Sequence, residues 1–134
     1  MAMIALCAVL LAGSVSSCSS KENRFDKAIE QLNSMLPMNL GNGFTMEKVS
    51  SDGDGIVYTI KCDDNEIDMN MMEENKEELR QNTLAQLKQQ KRSNNKDFAT
   101  LLDYCKESNK NIIYKYVGNP SKKTVEISIN TNEI

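Results

Sequence analysis

Ile56-Val57-Tyr58-Thr59-Ile60-Lys61-Cys62 alternates between two kinds of side chain. Successive strand residues point to opposite faces of a sheet. Tyr58, Ile60 and Cys62 therefore share one face, and Val57, Thr59 and Lys61 share the other. Just upstream, Ser51-Asp52-Gly53-Asp54-Gly55 reads as a turn, and Phe44 to Val49 reads as a strand on its far side. The two strands form an antiparallel hairpin. The same arrangement recurs near the end of the chain, where Ile112 to Val117 and Thr124 to Asn130 flank the turn Gly118-Asn119-Pro120-Ser121.

Each hairpin follows a helical pattern. Phe25, Ala28, Ile29, Leu32 and Leu36 form one stripe of a helix from about Arg24 to Leu36, stopped by Pro37 and followed by a flexible Gly41-Asn42-Gly43 turn. Phe98, Leu101, Leu102 and Cys105 repeat the spacing and predict a helix from about Lys96 to Glu107. Between the halves, Leu79, Leu84 and Leu87 sit among strong helix formers from Glu73 to about Lys91. Asp63 to Met72 fits either state: Ile67, Met69 and Met71 alternate as in a strand, whereas Ile67, Met71 and Met72 suit the start of a helix.

Helix, strand, turn and strand thus occur in the same order twice, and both halves end in Asn-Glu-Ile, at Asn65 to Ile67 and at Asn132 to Ile134. A hairpin alone buries too little apolar surface to be stable. The expected fold is α+β: tandem helix–hairpin units forming a four-stranded antiparallel sheet with helices packed on one face.

The first residues have a different character. Ile4 to Ala12 is an unbroken apolar run, followed by small residues and ending in Val15-Ser16-Ser17-Cys18. Crossing a bilayer takes about 20 apolar residues. The shorter run fits the apolar region of a secretory signal peptide. Its end resembles the lipobox of bacterial lipoproteins, an aliphatic residue and two small residues before a cysteine. The resemblance implies that Cys18 is the lipid attachment site, with diacylglycerol on its thiol and palmitate on the amino group exposed by cleavage. It divides the chain into a signal peptide (1–17), a lipidated tether (18–23) and a single α+β domain (24–134). It also implies a bacterial cell-envelope protein, membrane-anchored outside the cytoplasm, with Ser19 favouring the outer membrane. Met1-Ala2-Met3 lacks the usual leading Lys or Arg, which a start codon assigned too far downstream would explain. The alternative is an ordinary signal peptide cut elsewhere, with Cys18 incidental.

Composition sets exclusions. The net charge of −3 belongs to the part after the leader, and a mildly acidic domain lacks the basic face that nucleic acid requires. There is no histidine, which removes the usual general base and the commonest zinc ligand. No phosphate-binding loop, nucleophile elbow or metal-binding helix motif is present. Asp52-Gly53-Asp54-Gly55 fails as a calcium loop because Ile56 takes the third ligand position. Asp63, Asp64, Glu66 and Asp68 read as a solvated acidic turn. No catalytic residue, metal or cofactor is assigned, and no enzyme activity is expected.

Two sets of residues are candidates for function. Cys62 and Cys105 both fall on inward faces, so they are either a disulfide or two small buried apolar residues. Tyr114 and Tyr116 share a face opposite Ile113, Lys115 and Val117. If Ile113 and Val117 meet the helices, the tyrosines stand on the open sheet face with Glu47, Thr59, Lys61, Glu126 and Ser128. Tyr114, Tyr116 and Lys115 would then mark a partner surface. Otherwise the tyrosines line the core. The function that follows is a non-catalytic binding or interaction module for an unidentified protein or small molecule. The alternative is a structural or accessory envelope protein without a dedicated ligand.

Overall fold

The computed structural model describes residues 21–53, 55–93 and 96–134. The leader, Cys18, Ser19 and Asp54 lie outside the described residues, as do the side chains of Phe25, Ala28, Phe98 and Leu101. The described chain runs α1 (Lys21–Ser34), β1 (Met38–Gly41), β2 (Phe44–Ser51), β3 (Gly55–Asp63), α2 (Met69–Glu74), α3 (Lys76–Arg92), α4 (Lys96–Glu107), β4 (Asn111–Asn119) and β5 (Thr124–Asn130), ending in a 3-10 turn at Thr131–Glu133. The class is α+β, as expected. None of the described helices is long and apolar enough to cross a membrane.

Both expected hairpins form, β2 with β3 and β4 with β5. The sheet differs from the expected one in two respects. It has five strands in the order β1-β2-β3-β4-β5, and its central pair, β3 with β4, is parallel. Side-by-side copies of one helix–hairpin unit would make that junction antiparallel. Residues 64–110, which carry α2, α3 and α4, instead return the chain to the end of the sheet where β3 began. Parallel neighbours require such a crossover. The fifth strand comes from a stretch given no element in the sequence reading, just ahead of the expected Gly41-Asn42-Gly43 turn. Met38 and Leu40 alternate ahead of Asn42-Gly43, and both of those residues have positive φ (56° and 87°). That is the geometry of a two-residue hairpin turn, and it folds β1 back on β2.

The parallel register sets the core. Ile56, Tyr58, Ile60 and Cys62 stand beside Ile112, Tyr114, Tyr116 and Gly118. Phe44, Met46 and Val49 extend this face on one side, and Val125, Ile127 and Ile129 on the other. Leu32, Met69, Met72, Leu79, Leu84, Leu87, Leu102 and Cys105 cover it from the helices in one contiguous cluster. The ambiguous segment resolves as a turn over residues 64–66 followed by helix from Met69. Asp68 caps α2 by accepting from Asn70 N and Met71 N, and the inward pair is Met69 and Met72, three apart, with Met71 exposed. The helix expected from Glu73 is broken at Asn75, which separates α2 from α3.

Candidate functional site

Three regions can be built up from these elements: the open sheet face, the thiols, and the groove where β3 and β4 end.

The open face is made by the strand residues whose side chains point away from the helices. Cross-strand neighbours place Ser50, Val57, Ile113 and Ser128 in one row. Thr59, Lys115 and Glu126 form the next, and Thr45, Lys61, Val117 and Thr124 the third. A bulge between Met46 and Lys48 leaves Glu47 beside Lys61, with its carboxylate 3.5 Å from the ammonium. Val57 and Ile113 thus form an apolar pair across the two central strands, and Val117 stands two rows away on β4, beyond Thr59 and Lys115. Ile113 is 7 % exposed, yet it stands outside the core cluster that the helices complete.

This arrangement corrects the expectation for the tyrosines. Tyr114 and Tyr116 are each 1 % exposed, on the helix side of the sheet. Tyr114 stacks on Tyr58 with ring centroids 5.2 Å apart, and Tyr116 meets Phe44 edge to face at 6.1 Å. The register seats them beside Tyr58 and Ile60, and that apolar row is what the helices cover. They are core residues and not a contact surface. Of the three residues proposed for that surface, only Lys115 lies on the open face.

Cys62 and Cys105 are both buried, and both are free thiols. Cys62 is level with Gly118 near the end of β4. The carbonyl of Cys105 accepts from Lys110 N, at the start of that strand. The seven-residue length of β4 between these levels spans about 23 Å, whereas a disulfide tolerates about 7 Å between Cα atoms. The bridge is therefore ruled out by position. Burial pushes the Cys62 thiol up to about 12, with the Asp64 carboxylate adding to the rise. Burial likewise pushes Cys105 up to about 11, against a small opposing pull from Lys110. Both behave as apolar core residues.

The groove lies at the carboxyl ends of the parallel pair. It is an open groove of about 620 Å³ between residues 64–69 and Pro120, Ser121 and Lys123. Several polar atoms in and beside it are already occupied within the fold. Asp63 accepts from Asn65 N at 2.9 Å. The Asp64 carboxylate accepts from Ser121 N at 2.7 Å and from Ser121 Oγ at 3.0 Å. Lys123 Nζ donates to Asn70 Oδ1 at 3.1 Å. The junction is tight, since a Cβ on Gly118 would sit 2.5 Å from Ser121 Oγ and 2.7 Å from Asp64 Oδ1. The acidic turn thus ties two loops together. Among the described residues, no three acidic or cysteine side chains are arranged to hold a metal ion.

With this geometry in hand, comparison with solved structures gives one likeness. A crystal structure from Pseudomonas aeruginosa, of a protein named as a candidate secreted protein, superposes with a TM-score of 0.60 at 11 % identity. The match covers 87 % of this chain and 98 % of that one. At that identity the likeness establishes a shared fold. No protein-family description and no curated protein matches the chain.

Proposed function

We propose that this protein is a non-catalytic interaction module of the bacterial cell envelope. A lipid on Cys18 holds it to a membrane, with the outer membrane favoured, and it meets a protein partner through the open face of its sheet. The observation that carries this reading is the apolar content of that face: the neighbouring pair Val57 and Ile113 and, beyond the Thr59–Lys115 row, Val117. A sheet face left to water alternates cleanly to polar residues, and this one keeps three β-branched apolar residues on its central strands. Apolar centres with polar rims are the usual composition of contact surfaces. The apolar leader ending at Cys18 and the name of the Pseudomonas protein both favour a location outside the cytoplasm. The lack of histidine favours binding over catalysis.

Photo-crosslinking on intact cells tests the surface. A crosslinker at Thr59, on the open face, should give one discrete adduct that disappears in the Val57→Lys/Val117→Lys variant. A crosslinker at Gln81, on the helix layer, should give none. Equal labelling from both positions would refute the assigned face. The intact mass of membrane-extracted protein tests the anchor, and an unmodified Cys18 would end that part of the reading.

A further inference from the structure

A sheet needs its two outer edges closed, because bare N–H and C=O groups recruit further strands. Here part of the β2 margin that β1 leaves uncovered, and part of the β5 edge, are met by side chains that imitate a strand. β1 covers β2 only as far as Met46. Beyond it, Asn33 of α1 takes over: Val49 N donates to Asn33 Oδ1 at 2.9 Å, and Asn33 Nδ2 donates to Val49 O at 2.6 Å. One residue of an antiparallel neighbour would make that same pair of bonds.

The opposite edge belongs to β5. Arg80 of α3 donates from Nε to Ser128 O at 3.4 Å. Asn130 N donates to Glu133 Oε2 at 3.2 Å. The two side chains are joined, with Arg80 Nη2 donating to Glu133 Oε1 at 2.7 Å and also to Oε2. In a parallel ladder, a single residue of the neighbouring strand donates to the carbonyl of one residue and accepts from the N–H two residues later. The guanidinium and carboxylate occupy those two places. Backbone alternation turns the N–H and C=O groups of Thr124 and Glu126 toward the same outer edge, and both residues are exposed.

We propose that the Arg80–Glu133 ion pair is a strand substitute that closes the β5 edge, and that its removal lets β5 pair with β5 of a second copy of this chain. A second copy fits because antiparallel pairing about Ile127 sets Glu126 opposite Ser128 and Thr124 opposite Asn130. No like charges then face each other, and the contact closes as a twofold dimer with one continuous sheet. The hydrogen bond from Arg80 also holds the Glu133 carboxyl below the usual carboxylate value. This inference is independent of the open-face reading, because it concerns the edge of the sheet.

The test is the mass of the full chain in detergent, followed by sedimentation over a wide concentration range. The wild type should stay at one protomer. Arg80→Leu should double in protein mass as concentration rises. Adding Glu126→Pro, which removes an outward N–H and spares the β4 ladder, should return it to one protomer. If Arg80→Leu does not fold, Glu133→Ala is read in its place with the same expectation. A folded variant lacking the ion pair that stays at one protomer would overturn the proposal. So would a dimer that Glu126→Pro does not dissociate.

Discussion

Replacing Asn33 with alanine should destabilise this domain more than the change of one polar helix residue suggests. Asn33 is only half-buried, but the residue it serves, Val49, is 1 % exposed. Removing the carboxamide leaves the Val49 N–H and C=O with neither a strand nor water to replace it. A buried polar group left unpaired costs about 1–3 kcal/mol. Two such groups, partly relieved by local movement, give a loss of about 3 kcal/mol. For a domain of this size that corresponds to a fall in Tm of about 10 °C. Urea unfolding followed by circular dichroism would measure it, with an unchanged m-value showing that stability alone had moved. Asn33→Asp sharpens the assay: it keeps an acceptor for Val49 N–H but sets a carboxylate oxygen against Val49 O, so it should not rescue. A loss for Asn33→Ala below about 0.5 kcal/mol, the range of ordinary surface changes, would refute the edge-closing role.

The remaining predictions concern the central strands and the thiols. A Cβ on Gly55 would lie 1.9 Å from Asn111 O, a backbone atom that cannot turn aside, whereas Gly53 has open space around it. Gly55→Ala should therefore cost about 3 kcal/mol or more, and Gly53→Ala should stay within about 0.5 kcal/mol, both read from the same urea titration. In the folded protein Cys62 and Cys105 should resist a thiol reagent at neutral pH, and both should react fully in denaturant. Because their folded pKa values rise to about 12 and 11 from 9.0, the unfolded chain loses these protons first as pH increases. Stability should accordingly be unaffected below about pH 9 and fall above it, and Cys62→Ala should weaken that alkaline loss.

Much of the fold was legible because local spacing carries it. The bounds of α4 match the expected helix, and the second hairpin gains only its end residues, since i, i+3 and i, i+2 patterns record which side of an element is covered. Pairing direction is not recorded locally. Only the long helical return between β3 and β4 makes them parallel, and nothing within either strand announces it. The same gap explains the tyrosines. Both faces of β4 carry apolar residues, Ile112, Tyr114 and Tyr116 on one and Ile113 and Val117 on the other, so alternation separates the faces without choosing between them. The choice comes from Tyr58 and Ile60 next door. β1 was within reach, since Met38 and Leu40 alternate before an Asn-Gly pair. Asn33, Arg80 and Glu133 gave no signal, because each looks like an ordinary polar surface residue until its backbone partner is known.

The seam at the middle of the sheet also bears on the order of events as the molecule assembles. Ile56 and Ile112 are neighbours in space but fifty-six positions apart along the chain. Closing a loop of that length costs roughly 3–4 kcal/mol of chain entropy before any contact repays it. Each hairpin can zip up on its own, but the central ladder has to wait until the last third of the chain has been made. A polypeptide built this way folds late and as one piece, and an amino-terminal fragment ending before Asn111 would have no partner for the inner edge of β3.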